Sequence, residues 1–306
     1  MLKLGIMGMS QGNGHPYSWA AIINGDFNTE EMDKCGYAGI PMYLNANKDT
    51  LGIDGARVTH IWTQERSISE HIAKASLIEN VVDDAEEMIG HVDAVLLARD
   101  DPENHVQMAK PFINAGVPIF IDKPLAITTE DLAYFSEQNK NGKFLMSCSS
   151  MRYANEALTV KTEIATLGKL ELATVVGKKD WTKYGIHMLE ALFALLDDPK
   201  AISVQHVGES GKDIVVVNFE NGFVATVHLF MDIAATFQIT LFGQNEWRQI
   251  DIKNSYSMFK ENLTEFVKSV KEGKSRIPFE KTENIIRTLI GAKESLVNEG
   301  KVIDLR

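Results

Sequence analysis

The chain has 306 residues, of which 44% are hydrophobic and 24% charged, a globular composition long enough for two domains. A formal net charge of −11 argues against a surface that binds nucleic acid, although a local basic pocket could still hold one cofactor phosphate. Cys35 and Cys148 are too few for a disulfide framework and lack metal-ligand spacing, so we expect a reducing cytoplasm and no metal. No leader-like start and no long apolar segment is found, so no membrane partner is expected.

The first part of the chain alternates strand and helix patterns. A short strand over residues 2–8 leads through a glycine-rich loop into a helix that starts near Pro16, where the missing N–H of proline does no harm. Residues 25–56 contain several glycines and asparagines and are predicted to be a long irregular loop. A second strand follows over 58–63, and two short helices come after it.

Residues 93–126 read DAVLLARDDPENHVQMAKPFINAGVPIFIDKPLA. An apolar run stops at Arg99, a helical pattern carries His105 near its start, and a second apolar run leads into Lys123 and Pro124. Strands joined by crossover helices form parallel sheets, which bind ligands at the carboxyl ends of their strands. Lys123 lies at such an end, and His105 is expected to be structural or to flank a ligand.

The second part of the chain has a different pattern. After an apolar helix near 185–196, five strand-like segments follow closely between residues 202 and 252, with Asn221-Gly222 as a hairpin turn between two of them. Two helices close the chain. We therefore predict an α/β protein with a parallel-sheet domain over 1–124 and an α+β domain with a mainly antiparallel sheet over 125–306.

The stretch 93–126 resembles the D-A-V-x-x-x-x-P-x-x-x-H … A-G … E-K-P-x-A pattern of the Gfo/Idh/MocA family, whose members are nicotinamide-dependent oxidoreductases of sugars, polyols and related compounds. Arg152-Tyr153 with the later Gly168-Lys169-Leu170, the segment YGIHMLE at 184–190, and the closing NEGKVIDL are also similar to family patterns. The resemblance covers nearly the whole chain. It implies a dinucleotide-binding Rossmann domain followed by a substrate-binding domain, and a homodimer or homotetramer joined through the open face of the second sheet.

Two residues are predicted to be catalytic. The Lys123 ammonium can hydrogen-bond a substrate hydroxyl and favour the alkoxide that develops as a proton leaves. His187 matches the family's G-x-H, and its imidazole titrates near neutrality, which suits a general acid or base. Glu190, one helical turn further on, could orient His187 or reach the substrate. Without the resemblance, Lys123 reads as a surface lysine before a turn proline and His187 as a packed structural histidine.

The chain departs from the family at Lys183, where the resemblance implies an aspartate of the proton relay. A charged lysine cannot do that work, which could mean a different substrate, such as an anionic one paired with Lys183, or lost catalysis. Tyr184, Trp181 and Asp180 lie nearby and could substitute. Tyr153, Trp181 and Tyr184 are predicted to line a sugar pocket, because apolar sugar faces pack on aromatic rings.

The glycine-rich loop GMSQGNGHP also differs from the dinucleotide fingerprint, which would need glycines at positions 8, 10 and 13. A pyrophosphate needs free backbone N–H groups and close approach at a helix start, and this longer loop can supply both. We also expect His15 to face a ligand. The residues of the loop that we predict to bind the cofactor are Gly8, Ser10, Gly12, Asn13 and Gly14.

The end of the second strand should hold the cofactor's ribose. Thr63 or Gln64 occupies the expected place, Glu65 follows, and Arg66 comes next. An acid there favours NAD, whereas an arginine beside a 2′-phosphate favours NADP, so the choice between NAD and NADP stays open.

Two further residues are predicted to contact the cofactor. Arg99 could pair with a cofactor phosphate or a substrate carboxylate, or form a salt bridge with Asp100 or Asp101. Asp122 replaces the glutamate of the family pattern and could anchor Lys123 or contact the ribose.

These expectations combine into one prediction: a cytoplasmic NAD(P)-dependent oxidoreductase that moves hydride between the nicotinamide and a carbinol carbon of a small sugar, polyol or sugar acid. Two alternatives stay open. Lys183 and the altered glycine loop are compatible with a non-catalytic nucleotide-binding sensor or regulator. A family-like enzyme could also use bound NAD transiently, without net redox change, for example in glycoside cleavage.

Overall fold

The computed structural model describes all 306 residues and divides them into two compact units. The first unit contains residues 1–126 together with the later segments 133–147 and 259–279. The second unit contains the remaining segments, 127–132, 148–258 and 280–306. The compact units are therefore discontinuous in sequence, whereas the sequence suggests one boundary after Pro124.

The first unit is built on a six-stranded parallel sheet with strand order β3-β2-β1-β4-β5-β6. The strands are β1 (Leu2–Met7), β2 (Ala56–Trp62), β3 (Asn80–Val81), β4 (Ala94–Leu97), β5 (Ile119–Ile121) and β6 (Leu145–Met146). Every residue of β4 and β5 is buried, as is typical of parallel strands covered on both faces. The predicted parallel-sheet domain is confirmed, and its last strand lies beyond residue 124.

Ten α-helices surround the two sheets of the chain. They are α1 (His15–Asn24), α2 (Thr29–Met32), α3 (Gly39–Ala46), α4 (Arg66–Ser76), α5 (His105–Ala115), α6 (Thr129–Lys140), α7 (Asn155–Glu163), α8 (Trp181–Leu195), α9 (Ser255–Glu272) and α10 (Phe279–Val297). Short 3-10 helices lie at Lys48–Thr50, Ala85–Met88, Pro102–Asn104, Ser150–Tyr153 and Ile164–Leu167. None of the helices combines the length and the apolar composition needed to cross a membrane.

The prediction of an irregular loop over residues 25–56 was wrong, because α2, α3 and one 3-10 helix lie there. The side chain of Asn28 accepts a hydrogen bond from the N–H of Glu31 and caps α2. Pro41 lies in the first turn of α3, where its missing N–H has no intrahelical partner to lose. Helices of four and eight residues are too short to give a clear apolar period.

The second unit is built on a seven-stranded sheet with strand order β12-β11-β7-β10-β9-β8-β13. All neighbouring strands are antiparallel except β7 and β10, which are parallel. The strands are β7 (Leu170–Lys178), β8 (Ala201–His206), β9 (Lys212–Phe219), β10 (Val224–Phe230), β11 (Phe237–Gly243), β12 (Trp247–Asp251) and β13 (Ile303–Asp304). The predicted mainly antiparallel sheet and the β9–β10 hairpin at Asn221-Gly222 are confirmed.

The side chains of this sheet alternate between two faces. In β9, Val215 and Val217 are buried, whereas Ile214 and Val216 between them are partly exposed. Strands β7 and β10 show the same alternation. One face therefore belongs to the core of the unit, and the other is an open face that carries apolar side chains.

Helix α8 begins earlier than the sequence suggested. The side chain of Asp180 accepts a hydrogen bond from the N–H of Lys183 at 3.0 Å, which caps the helix in front of Trp181. The sequence placed the start near Gly185, where the apolar run becomes continuous. His187 consequently lies in the second turn of α8 and not in the first.

Candidate functional site

The strand order of the first sheet places a switch point between β1 and β4. From β1 the chain proceeds to β2 and β3 on one side, and β4, β5 and β6 lie on the other. Ligands of open α/β sheets bind outside the carboxyl ends of the strands at such a point. The segments that follow β1, β2, β4 and β5 carry the predicted cofactor residues and Lys123.

The glycine loop after β1 is fastened to the end of the neighbouring strand by Gln64. Its side-chain amide accepts from the N–H of Met9 at 3.0 Å and donates to the carbonyl oxygen of Met9 at 2.7 Å. Ser10 donates from its hydroxyl to the Asp100 carboxylate in the loop after β4, at 2.5 Å. Gln64 and Ser10 therefore shape the loop through their side chains.

The carboxylate of Asp122 fastens the other half of the loop. Its Oδ2 accepts from Asn13 Nδ2 at 2.9 Å and lies 2.6 Å from His15 Nδ1, while its Oδ1 accepts from the N–H of Lys123 at 2.8 Å. Asp122 is only 1% exposed. Burial alone would raise its pKa, but the charges of His15 and Lys123 and these hydrogen bonds outweigh burial and hold the pKa well below its usual range.

These contacts explain why the loop departs from the glycine fingerprint. Asn13 and Ser10 stand where glycines were expected, and each supplies a side-chain donor to a carboxylate. His15 completes the cluster, with its ring stacked on Trp19 at 4.5 Å between centroids. Of the two roles considered for Asp122, the structure contains the anchor: its carboxylate holds the loop and the backbone of Lys123.

Lys123 lies at the end of β5 with its side chain almost entirely buried. Its side chain is 9% exposed, and Nζ lies 3.4 Å from Asp100 Oδ2. The Lys123–Pro124 peptide bond is cis. Asp100 thus contacts both the Ser10 hydroxyl and the Lys123 ammonium, so the loops after β1, β4 and β5 meet around one carboxylate.

The loop retains the features that a dinucleotide phosphate needs. Gly8 and Gly12 have φ of +80° and +82°, a region that favours glycine. A Cβ at Gly8 would lie 2.5 Å from the Cδ of Arg99, whereas nothing lies within 4 Å of a Cβ at Gly12. The bonds that hold the loop use the N–H groups of Met9, Asn13 and His15, and Gly12 lies at the exposed tip. The residues present therefore fit a bound pyrophosphate.

Gly14 limits the loop in another way. A Cβ there would come within 2.9 Å of the ring of Tyr37 and 2.5 Å of Ile40. Gly14 is therefore required for packing against the segment around α3, and the structure gives it no open side toward a ligand.

Arg99 has a partner within its own loop. Its guanidinium binds the Asp101 carboxylate through Nε at 2.7 Å and through Nη2. Burial would raise the pKa of Asp101, but the bond to Arg99 lowers it. His105 is fully buried, and its ring nitrogens lie 2.8 Å from the Arg99 carbonyl oxygen and 3.1 Å from that of Leu125. His105 therefore joins two loops, in agreement with a structural role.

The residues proposed for the ribose differ in how free they are. The Thr63 hydroxyl is buried and donates to the Glu65 carbonyl oxygen at 2.8 Å. The Arg66 guanidinium binds the carboxylates of Glu70 and Asp83. Glu65 is exposed just beyond the end of β2. Of the two charged residues in this set, Arg66 forms ion pairs and Glu65 forms none.

His187 belongs to a group of four linked polar residues in the second unit, with Ser149, Arg152 and Glu190. Ser149 Oγ lies 2.6 Å from His187 Nδ1, and the N–H of Ser149 donates to Glu190 Oε1 at 3.3 Å. Glu190 Oε2 accepts from Arg152 Nη1 at 2.9 Å. His187 and Glu190, one turn apart on α8, thus bind Ser149 and Arg152. Ser149 caps the 3-10 helix Ser150–Tyr153, and Arg152 lies within it. Sequence reasoning missed Ser149, because a serine after a short strand has no distinguishing pattern.

The charges of this group are strongly perturbed by burial. Burial of the Glu190 carboxyl raises its pKa to about 7, although Arg152 opposes the shift. The Arg152 guanidinium also binds Asp198 at 2.5 Å. Burial would lower the pKa of Arg152, but Glu190 and Asp198 raise it further above its ordinary value. Burial would likewise raise the pKa of Asp198, and Arg152 lowers it.

The aromatic residues predicted for a sugar pocket fall into two groups. Tyr184 is partly exposed, stacks on Phe237, and has its ring centroid 5.1 Å from that of His187. Trp181 is 4% exposed, and its indole N–H donates to the Leu289 carbonyl oxygen at 3.0 Å. We correct the expectation for Trp181, because its ring packs in the core of the second unit.

Tyr153 and Lys183 keep some exposure. Tyr153 is half-buried in the same 3-10 turn as Arg152, and Lys183 is exposed on the first turn of α8. Lys183 therefore brings a solvent-accessible positive charge to the position where the family resemblance implies an aspartate.

The comparisons with known proteins agree with this architecture. Residues 35–146 match the family model described as "GFO_IDH_MocA: Oxidoreductase family, NAD-binding Rossmann fold". The predicted resemblance is thereby confirmed over these residues, which are similar to the NAD-binding Rossmann domain of that family. The comparison with curated proteins gives no match.

Several solved structures share the fold over the whole chain. A probable dehydrogenase from Thermotoga maritima has a TM-score of 0.78 at 16% identity, covering 99% of each chain. A putative myo-inositol dehydrogenase from Sinorhizobium meliloti 1021 has a TM-score of 0.77 at 14% identity, covering 100% of each. The scyllo-inositol dehydrogenase from Lactobacillus casei with bound NAD(H) and scyllo-inositol has a TM-score of 0.75 at 13% identity, covering 100% of this chain and 99% of that one. At these identities, the likeness establishes the fold.

We predict that Asp122→Ala destabilises the protein by about 3–5 kcal/mol near neutral pH, because Asn13, His15 and the Lys123 N–H lose a buried charged partner. The folded-state pKa of Asp122 is depressed, so its stabilisation is present above about pH 4 and is lost as pH falls further. Urea unfolding at several pH values measures this. Asp83→Ala, at a side chain that is 77% exposed, is the matched control. Equal effects of the two substitutions would contradict the anchoring role.

We predict that Glu190 makes the protein less stable as pH rises from about 4.5 to 7. Its folded-state pKa is raised, so the folded state holds the proton more tightly than the unfolded state over that range. The slope that one such site adds is at most about 1.4 kcal/mol per pH unit. Glu190→Gln should remove this slope in pH-dependent urea unfolding, whereas Glu171→Gln at an exposed site should leave it. An unchanged slope in Glu190→Gln would refute the raised pKa.

Proposed function

We propose that the protein is an NAD-dependent oxidoreductase that acts on a carbinol carbon of a small polyol, sugar or sugar acid. The observation that carries the proposal is the buried ammonium of Lys123, which lies beside the glycine loop at the carboxyl end of a parallel strand. A buried cation at such an edge suits a reaction in which negative charge develops on a substrate oxygen. A solved neighbour described as binding NAD(H) and scyllo-inositol supports a polyol.

The proposed cofactor site is the loop from Gly8 to Gly14. The pyrophosphate binds at its exposed tip, near Gly12, and the nicotinamide of the bound cofactor supplies the hydride acceptor. Asp122, Gln64 and Asp100 hold the loop in shape before any ligand arrives. A loop that is already ordered loses less conformational entropy on binding.

We propose NAD in preference to NADP. Arg66 is the cation expected to recognise a 2′-phosphate, but its guanidinium is bound by Glu70 and Asp83. Glu65 is exposed at the strand end, where a carboxylate accepts hydrogen bonds from ribose hydroxyls and repels a phosphate.

We propose that Lys123 and His187 handle the substrate's proton. Lys123 stabilises the alkoxide and exchanges the hydroxyl proton through Nζ, and His187 contributes its imidazole from α8. Lys183 and Tyr153 are proposed to contact the substrate, and Tyr184 to present its ring to an apolar sugar face. An exposed lysine at position 183 is compatible with a carboxylate on the substrate, so sugar acids belong in any substrate panel.

We propose a homodimer or homotetramer formed through the open face of the second sheet. That face carries Ile214 and Val216 on β9, Val176 on β7, and Val224 and Phe230 on β10, with Thr226 and His228 among them, and all are partly exposed in the single chain. Contiguous exposed apolar side chains on a folded protein often mark interaction surfaces.

We expect NAD to bind more tightly than NADP, and a bulky residue at Gly12 to weaken binding at least tenfold, about 1.4 kcal/mol, by blocking the phosphate. Isothermal titration calorimetry with Gly12→Phe measures this. Gly90→Phe is the control, because Gly90 has φ of +85° and open space around its Cβ position as well. No binding of any nicotinamide cofactor to the native protein would end the proposal.

We expect Lys123→Ala to lower kcat about a hundredfold or more, with little change in the Kd for NAD, because the ammonium acts where charge develops. Lys123→Arg should not restore turnover, since guanidinium stays protonated and has another shape. Lys110→Ala, at an exposed site in the same unit, is the control. Near-normal turnover by Lys123→Ala on a panel of polyols, sugars and sugar acids would remove Lys123 from the mechanism.

We expect the purified protein to be a dimer or tetramer in light scattering, and Val216→Lys to dissociate it by placing a charge on the open face. Val297→Lys introduces the same charge at a side chain that is 77% exposed at the end of α10, and should leave the assembly intact. A monomeric wild-type protein would refute the proposed interface.

A further inference from the structure

Ser149 is held from two sides by helix α8. It is fully buried, its hydroxyl binds His187 Nδ1 at 2.6 Å, and its N–H donates to Glu190. Its Oγ also accepts from the N–H of Met151 at 3.2 Å and caps the 3-10 turn that follows. The position of Oγ is therefore set by backbone contacts and does not depend on the histidine.

The hydroxyl proton of Ser149 has one acceptor. Of its two hydrogen-bond partners, Met151 supplies an N–H, so the remaining partner, His187 Nδ1, is the atom that can accept. If Nδ1 carried a proton, Nδ1–H and the N–H of Met151 would both donate to Ser149 Oγ, and the hydroxyl proton of Ser149 would be buried without an acceptor. Buried hydroxyls without a bond are rare and unfavourable. The satisfied arrangement has Ser149 O–H donating to an unprotonated Nδ1.

We infer that Ser149 is a positioning residue that holds neutral His187 as the Nε2–H tautomer. His187 then enters the reaction as a hydrogen-bond donor to the substrate oxygen and keeps its Nε2–H proton, while the substrate's hydroxyl proton leaves through Nζ of Lys123, the role proposed for that residue above. This inference rests on the proposed function for its catalytic consequence, but the tautomer itself is a property of the ligand-free protein.

The departure at position 183 gives this pair its significance. An aspartate beside a histidine accepts Nδ1–H and favours the imidazolium, which makes the histidine a base at Nε2. Here position 183 is an exposed lysine, and the partner of Nδ1 is a neutral hydroxyl that donates. A histidine with an aspartate at Nδ1 accepts a proton at Nε2, whereas His187, with the Ser149 hydroxyl at Nδ1, carries a proton at Nε2 and donates it in a hydrogen bond.

The second half of the four-residue group keeps the serine in place. Glu190, one turn beyond His187, binds the N–H of Ser149 with one oxygen and Arg152 with the other. Arg152 is fixed in turn by Asp198. Glu190 therefore joins α8 to the segment of Ser149 and Arg152 independently of the Ser149–His187 bond. This second connection restrains the position of the imidazole relative to the hydroxyl.

The direct test is long-range proton–nitrogen NMR of the protein labelled with 15N-histidine, without ligand, at a pH where His187 is neutral. His187→Gln identifies its signals. We expect a single Nε2–H pattern for His187 in the wild type and in Ser149→Thr, which keeps the hydroxyl. Ser149→Ala should show averaging with the Nδ1–H tautomer. An Nδ1–H pattern in the wild type, or an unchanged pattern in Ser149→Ala, would overturn the inference.

A kinetic test uses the two amides that replace histidine. The amide nitrogen of Gln occupies the place of Nε2 and that of Asn the place of Nδ1, so a donor role at Nε2 predicts that His187→Gln keeps at least tenfold more kcat than His187→Asn. The pH dependence of kcat should also persist in His187→Gln. Equal losses in both variants, with the pH dependence abolished, would show that His187 is a base and overturn the inference.

Ser295→Ala is the matched control for loss of a buried hydroxyl. Ser295 is also fully buried, in the same unit, and its Oγ accepts from the N–H of His206 at 2.9 Å. It should leave the His187 signals and kcat unchanged, and a shift of those signals by Ser295→Ala as large as that by Ser149→Ala would overturn the assignment. The NMR result stands whether or not any substrate turns over, so failure of the proposed function is distinguished from failure of this inference.

Discussion

The buried carboxylate of Asp122 is the constraint on which the first unit's site depends. A charge that is almost fully withdrawn from water must be met by donors, and these come from the loop after β1 and from the backbone of Lys123. The need for these donors constrains both the shape of the glycine loop and the backbone position of Lys123. Two features that look separate in the sequence, an unusual glycine loop and an aspartate before the lysine, are therefore parts of one contact.

The second unit also contains buried polar groups that bind one another, here four residues rather than one carboxylate and its donors. Four polar residues join the 3-10 turn after β6 to helix α8. Burial strengthens each hydrogen bond in the group, and removal of any one side chain would leave a buried partner unsatisfied. Glu190 and Arg152 supply the rigid part, and Ser149 and His187 form the pair for which we propose a role in the chemistry. The lysine at position 183 takes no part in the bonds of this group.

The sequence predicted the sheets well because strand periodicity and turn residues report burial directly. The hairpin at Asn221-Gly222 and the parallel β1, β4 and β5 are examples. It failed for α2 and α3, where short helices carry too few turns to show a period. It also could not show that residues 259–279 belong with the first unit, because a helix pattern does not reveal which core its apolar face enters.

The sequence could indicate candidate residues of the site, but it could not indicate the hydrogen bonds and ion pairs between them. Lys123, His187 and the glycine loop could be proposed as candidates because strand ends and short motifs mark them. Ser149 could not, since its role depends on a contact across 38 residues of sequence. Trp181 was misjudged because a tryptophan next to a predicted pocket residue gives no indication of which way its ring points. Arg99 is bound by Asp101, one of the two acids that the sequence analysis offered as its partner, whereas the partners of Arg66, Glu70 and Asp83, were not foreseen.

The account holds that the protein transfers hydride from a carbinol carbon to a bound nicotinamide, and isotope transfer tests this most directly. The wild-type protein is incubated with NAD and polyols, sugars or sugar acids that carry deuterium on their carbinol carbons, and the cofactor is then analysed by mass spectrometry. The account predicts one deuterium in the reduced cofactor for at least one substrate, with the corresponding ketone as product. Bound cofactor that never acquires deuterium, or deuterium that returns to a cleaved product without net reduction, would contradict it.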